Sequence, residues 1–240
     1  MRIAACQMED VHGDVPRALS LIQARVADAE REGADLVCFP ECFLQGYGVD
    51  TGHVQRSAMD LASAAFERVL QSLKSFKPAM VIGLIEKERD AYFNSAVVVR
   101  RGAVVTRYRK THLLEGEQGV FTPGDRYVVF DAGMKVGINI CYDTNFPEAA
   151  RAVARAGARL VVCPSNNMMR RVTAEEWKHR HNEIRAMRAR EVGVWLLSSD
   201  VTGHRDGRVS YGPTALIDPD GNVLAHVPLM TTGMVLADVH

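Results

Sequence analysis

Short apolar runs alternate with amphipathic helical segments through both halves of this chain, and this alternation most narrows the folds open to it. Residues 34–39, 134–140 and 159–164 are too short for buried helices and are bounded by glycine or proline, which marks them as strands. Asp14 and Pro16 open a helix to about Glu30, with Leu19, Ile22, Val26 and Ala29 on one face. A second helix is expected over 57–75. A third runs from Pro147 to Ala156 and stops at Gly157. Thr173-Ala-Glu-Glu176 has the form of a capping box and predicts a long helix to about Val192.

Hairpins are interposed in this alternation. Residues 92–100 and 103–106 flank Arg101-Gly102, residues 127–131 and 134–140 flank Ala132-Gly133, and residues 214–218 and 223–227 flank Pro219-Asp-Gly-Asn222. Such a pattern predicts an α/β protein with mixed rather than all-parallel sheets. With no linker or low-complexity segment, residues 1–240 read as a single domain. Two polar stretches are expected as loops, 108–124 and 200–208. The first is long and rich in charge, and a long ordered loop in a compact domain is usually functional.

Charge and cysteine content exclude several classes of function. Lys+Arg and Asp+Glu both number 29, so the net charge is zero and gives no electrostatic reason to expect a nucleic-acid or anionic-membrane partner. No apolar run approaches the roughly 18–20 residues of a membrane span. The first residues read directly as a strand over 2–7 rather than as a signal peptide. Five scattered cysteines read as reduced thiols, which predicts a cytoplasmic protein. Cys38 and Cys42 lack the companions of a metal site, so no metal is expected. No phosphate loop, dinucleotide fingerprint or serine nucleophile elbow is present, and no cofactor is expected.

Three reactive residues stand where strands end or in the long loop: Glu41, Lys110 and Cys141. Cys141 lies between an apolar strand and the helix opened by Pro147, where a thiol can be held at the mouth of a sheet. There it is either a nucleophile or an inert core thiol. A cysteine nucleophile needs a base, and acyl transfer needs donors for a tetrahedral oxyanion. Glu, Lys and Cys together supply these. A Cys/His dyad through His112 lacks an obvious orienting Asn or Asp. Cys163, inside a strand, reads as packing. The basic helix 178–190 is interspersed with glutamates and reads as a salt-bridged helix at a subunit contact.

Phe39-Pro-Glu-Cys-Phe-Leu-Gln-Gly-Tyr47, Tyr108-Arg-Lys-Thr-His-Leu113 and Ile140-Cys-Tyr-Asp-Thr-Asn-Phe-Pro-Glu148 resemble the three signature blocks of the nitrilase (carbon–nitrogen hydrolase) superfamily. The similarity extends in order to Phe93-Asn-Ser-Ala96, Val120-Phe-Thr-Pro-Gly124 and Pro164-Ser-Asn166, and so spans the chain. It implies a four-layer α-β-β-α sandwich with Glu41 as general base, Lys110 as stabiliser of the tetrahedral intermediate and Cys141 as nucleophile. It also implies a second glutamate, Glu117 or its neighbour Glu115, and the Tyr142 N–H in an oxyanion hole. Tyr47, Asn166 and Met168 are candidate pocket residues on the same ground. The implied reaction is hydrolysis of a small amide to a carboxylic acid and ammonia. The alternatives are an N-carbamoyl amide hydrolase, a nitrilase, or a non-catalytic scaffold member of the fold. A homodimer or higher homo-oligomer is implied by the resemblance alone.

Overall fold

The computed structural model describes all 240 residues and contains two mixed sheets stacked face to face. One sheet has ten strands and the other six. Strand Arg2–Glu9 is central to the larger sheet. It pairs in parallel with Leu36–Cys38 and Val201–Arg205, and antiparallel with Gly233–Asp238. The smaller sheet is built around Leu160–Pro164, which runs parallel to Lys135–Ile138 and Trp195–Ser199.

Period-two alternation along the strands creates the four layers. Leu36 and Cys38 face the other sheet, where they join Ile3, Val81, Ile138, Leu160 and Val162 in one core. Val37 and Phe39 point the opposite way, onto helices Val15–Arg31 and Ala64–Leu73. On the far side, Val161 and Cys163 pack with Val153 and Ala189 of helices Pro147–Arg155 and Arg180–Val192. The order is helix, sheet, sheet, helix, as the resemblance implies. Cys163 is a packing residue of the outer layer.

Three expected elements differ. The helix expected over 57–75 is confined to Ala64–Leu73, and strand Met59–Asp60 and the end of a separate helix, Thr51–Ser57, precede it. Local polar side chains draw the boundary: the Asp60 carboxylate accepts the Ala62 N–H at 2.8 Å, and the Ser63 hydroxyl accepts the Phe66 N–H at 3.2 Å. The capping box at Thr173 does not form. Helix Arg171–Trp177 begins earlier, because Met169–Arg170 is held in a strand pair until the helix starts, and the chain breaks before Arg180–Val192. The expected polar loop 200–208 is largely a hairpin, Val201–Arg205 with Arg208–Ser210. Asp206 and Gly207 turn it with φ of 50° and 71°, the left-handed pair favoured by two-residue hairpin turns.

Candidate active site

Glu41 follows strand Leu36–Cys38, and its position depends on the next strand packing closely beside it. A Cβ on Gly83 would lie 2.2 Å from the Pro40 carbonyl oxygen and 2.8 Å from the Glu41 Cα, so only glycine fits there. The Glu41 N–H donates to the Ser165 carbonyl at 3.2 Å, linking the ends of strands from both sheets. Lys110 follows strand Ala103–Arg109, and its own N–H donates to the Asn94 carbonyl at 2.8 Å. Glu117 lies in the short helix Glu115–Gln118, where its Oε2 accepts the Leu114 N–H at 2.8 Å.

These three side chains meet in the interior. Lys110 Nζ donates to Glu41 Oε1 at 2.7 Å and to Glu117 Oε1 at 2.9 Å, with all three side chains at most 1% exposed. It is Glu117, not the exposed Glu115, that reaches the lysine. Asn94 Nδ2 bridges the same two oxygens, at 2.7 Å to Glu41 and 3.1 Å to Glu117. The Cys42 thiol donates to Asn94 Oδ1 at 3.3 Å, which turns the amide so that its NH2 faces the carboxylates. Glu41 Oε2 accepts the Asn166 N–H at 2.9 Å. An ammonium has three N–H donors, and two are used here, so one has no protein partner.

Two carboxylates share one ammonium, and the excess negative charge sets the protonation behaviour. Burial pushes the Glu41 pKa up; Lys110 opposes this and Glu117 adds to it. Burial works against the Lys110 charge, but the two carboxylates outweigh it and hold its pKa well above the usual lysine range. Lys110 is therefore a fixed cation.

Cys141 opens a single 3-10 turn, Cys141–Asn145, with φ of 42°, an unfavourable conformation for a residue with a Cβ. Such a backbone costs on the order of 1–3 kcal/mol and persists only when its surroundings over-determine it. The Thr144 hydroxyl donates to the Cys141 carbonyl at 2.8 Å, and Asp143 Oδ2 accepts the Ile140 N–H at 2.8 Å. Asp143 also accepts from the Tyr108 hydroxyl at 2.7 Å and the His112 N–H at 2.9 Å, tying the lysine loop to the cysteine turn. Against the expectation that no Asn or Asp orients it, His112 has Asp143 at 3.0 Å from its Nδ1, and that hydrogen bond raises its pKa; its Nε2 faces Glu148 at 3.5 Å, so neither ring nitrogen serves Cys141.

Cys141 is half-buried, whereas the other four cysteines are fully buried. Its thiol contacts Asn167 Oδ1 at 3.8 Å. Burial drives its pKa well above the free-thiol range; the Glu41 charge adds to this and Lys110 opposes it. The resting group is a neutral thiol, and losing its proton requires a base at the moment of attack.

Above Cys141 is a cavity of about 510 Å³, whose lining includes Glu117, Tyr142 and the three candidate pocket residues Tyr47, Asn166 and Met168. Glu41 and Lys110 do not line it but are hydrogen-bonded to residues that do, Lys110 to Glu117 and Glu41 to the Asn166 N–H. Several contributors were not identified from the sequence. Asn94 left a signal as a polar residue inside an apolar strand. Trp177 and His181 line the cavity, but in the sequence they lie outside the three blocks that carry the resemblance. Arg185, in the helix expected at a subunit contact, turns inward instead. It donates to Pro213 O at 2.7 Å and Ser165 Oγ at 2.8 Å, and lies 3.6 Å from the buried Asp200, which also anchors the Asn167 N–H at 3.1 Å.

The carbon–nitrogen hydrolase family model matches residues 2–240. The chain belongs to the carbon–nitrogen hydrolase family. It is 32% identical over 226 residues to an (R)-stereoselective amidase of a Pseudomonas species, spanning 93% of this chain and 80% of that one. To a nitrilase of Pyrococcus abyssi it is 32% identical over 229 residues, covering 94% and 84% of the two chains. An amidase from a Nesterenkonia species superposes with a TM-score of 0.87 at 28% identity, covering all of this chain and 90% of the other. In a glutamate-to-glutamine variant of that amidase, the acetamide moiety of fluoroacetamide is covalently attached to the active-site cysteine. The four-layer sandwich seen here is that of these carbon–nitrogen hydrolases.

Proposed function

We propose that this enzyme hydrolyses a small amide to a carboxylic acid and ammonia through a thioester on Cys141, as a single-domain hydrolase of residues 1–240. The observation that carries this reading is the buried Glu41–Lys110–Glu117 cluster beside a half-exposed cysteine held at positive φ on a cavity. Glu41 takes the thiol proton as the sulfur attacks the amide carbon. The free N–H of Lys110 and the Tyr142 N–H, in the first turn of the 3-10 segment and so without an intrahelical acceptor, stabilise the oxyanion. Each good donor contributes roughly 3–4 kcal/mol. Collapse of the intermediate breaks the C–N bond, and Glu41 returns its proton to the departing nitrogen. Water, deprotonated by Glu41 and positioned with help from Glu117, then cleaves the thioester and restores the thiol.

The resemblance to an amidase and a nitrilase of equal identity keeps nitriles as a second substrate class, with ammonia again released. The free cysteines support a reducing, cytoplasmic setting, and a homodimer or larger homo-oligomer follows from the family resemblance. The test uses Cys141→Ala and intact-mass spectrometry. Wild-type protein briefly exposed to a panel of amides and nitriles should release ammonia and carry an acyl adduct on Cys141, while the folded variant does neither. Ammonia release by Cys141→Ala, or an adduct on Cys163, overturns the mechanism.

A further inference from the structure

The mouth of the cavity carries positive charge that the protein itself does not balance. Among the charged lining groups, Glu117 is fully buried in the cavity wall and shares the Lys110 ammonium, 2.9 Å away, with Glu41. Arg185 is engaged by Asp200 at 3.6 Å and by four oxygen acceptors. His181 is neutral, its pKa pushed down to about 3 by burial and by the Arg185 charge. Arg170 and Arg208 remain. Both are exposed, and neither guanidinium has a carboxylate or other acceptor on the protein.

Their placement is also unfavourable unless something binds there. Arg170 and Arg208 are directly opposite partners in the antiparallel pair of Met169–Arg170 with Arg208–Ser210, so both side chains leave the same face. Like charges at directly opposed positions repel, and a chain of zero net charge has no general excess of base to explain them.

We propose that Arg170 and Arg208 form a carboxylate subsite, selecting amides whose acyl chain ends in a carboxylate away from the scissile C–N bond. The proposal rests on the reading of Cys141 as the site of amide attack. Guanidinium forks match carboxylate oxygens in pairs, and a carboxylate between two arginines removes their mutual repulsion. The chain linking carboxylate to carboxamide passes Met168, Ile184 and Trp177, an apolar wall suited to methylenes.

The probes are the monoamides of succinic, glutaric and adipic acids, each compared with the neutral amide of equal chain length: butyramide, valeramide and hexanamide. Binding to Cys141→Ala by calorimetry is independent of turnover. At least one monoamide should bind roughly tenfold or more tightly than its neutral counterpart, with a preference that weakens as salt is added. Arg170→Gln/Arg208→Gln in the same background should bring that ratio close to one. Should the double variant unfold, Arg208→Gln alone should still reduce the ratio. Equal binding of charged and neutral probes at all three lengths overturns the subsite, as does a preference that survives both substitutions. Wild-type ammonia release is read separately. Preferential monoamide binding without turnover supports the subsite and counts against the hydrolase reading alone.

Discussion

Lys110→Met tests the charge arrangement of the buried cluster most directly. The substitution keeps the aliphatic stem and removes the ammonium that Glu41 and Glu117 share at 2.7 and 2.9 Å. Both carboxylates then remain at most 1% exposed with no cation beside them. Breaking a buried pair by removing one partner costs about 3–5 kcal/mol. In a chain of this size each kcal/mol lowers the unfolding temperature by about 2–4 °C, giving a drop of roughly 6–20 °C. The loss should depend on pH. Burial and Glu117 both raise the Glu41 pKa and Lys110 lowers it, so without the lysine every remaining charge effect favours the protonated acid.

A carboxyl whose folded pKa lies above its unfolded value contributes most to stability below the unfolded value, near 4.3, and the contribution is lost as pH rises through the folded pKa. Urea unfolding followed by tryptophan fluorescence should therefore show a deficit that is larger at about pH 8 than at about pH 5. Adding Glu117→Gln removes one of the stranded charges and should recover part of the deficit at the higher pH. A Lys110→Met variant less than about 1 kcal/mol below wild type at both pH values would refute the shared-ammonium account.

Two further substitutions probe the geometry that holds Glu41, the proposed base. Gly83→Ala introduces a Cβ 2.2 Å from the Pro40 carbonyl and should displace Glu41. Because misplacing a catalytic group by about 1 Å costs on the order of 100-fold, kcat should fall by about that factor; unaltered kcat counts against this packing as what positions Glu41. Asn94→Leu removes the donor to both carboxylates, a hydrogen bond that lowers the Glu41 pKa. Loss of a charge-assisted bond is worth about 1.5–3 kcal/mol, so kcat/KM should drop roughly 10- to 100-fold. The acid limb of its pH profile should move to higher pH, since in the proposed mechanism Glu41 acts in its ionised form. A fall in kcat/KM without that movement would leave Asn94 a merely structural residue.

The amino-acid sequence determined the layers and the reactive residues by local means. Alternation at Leu36–Cys38 and Leu160–Pro164 decides which side chain faces which core, because a strand has only two faces. The strand-turn-helix at Cys141 was legible because Pro147 and Gly157 bracket the helix and the apolar run stops at the cysteine. Yet a nucleophile and a core thiol look alike at that level. What separates them is the proximity of Glu41, Lys110 and Glu117, and the Glu41–Lys110 pair spans 69 residues of chain.

Only the tertiary structure decided the rest. Choosing Glu117 over Glu115 depended on which face of a single helical turn meets the lysine, and two residues of spacing cannot settle that. The later start of the helix expected over 57–75 and the hairpin replacing the expected loop 200–208 arise from side-chain caps and sheet-edge pairing that override local pattern. Asn94 and Arg185 acquired roles only in the folded chain: a buried polar group is informative once its partners are known, and those partners come from other segments of the chain. Cys141 is the clearest case. The sequence placed a thiol at the end of a strand, and packing gave it a cavity, two buried carboxylates and a fixed cation.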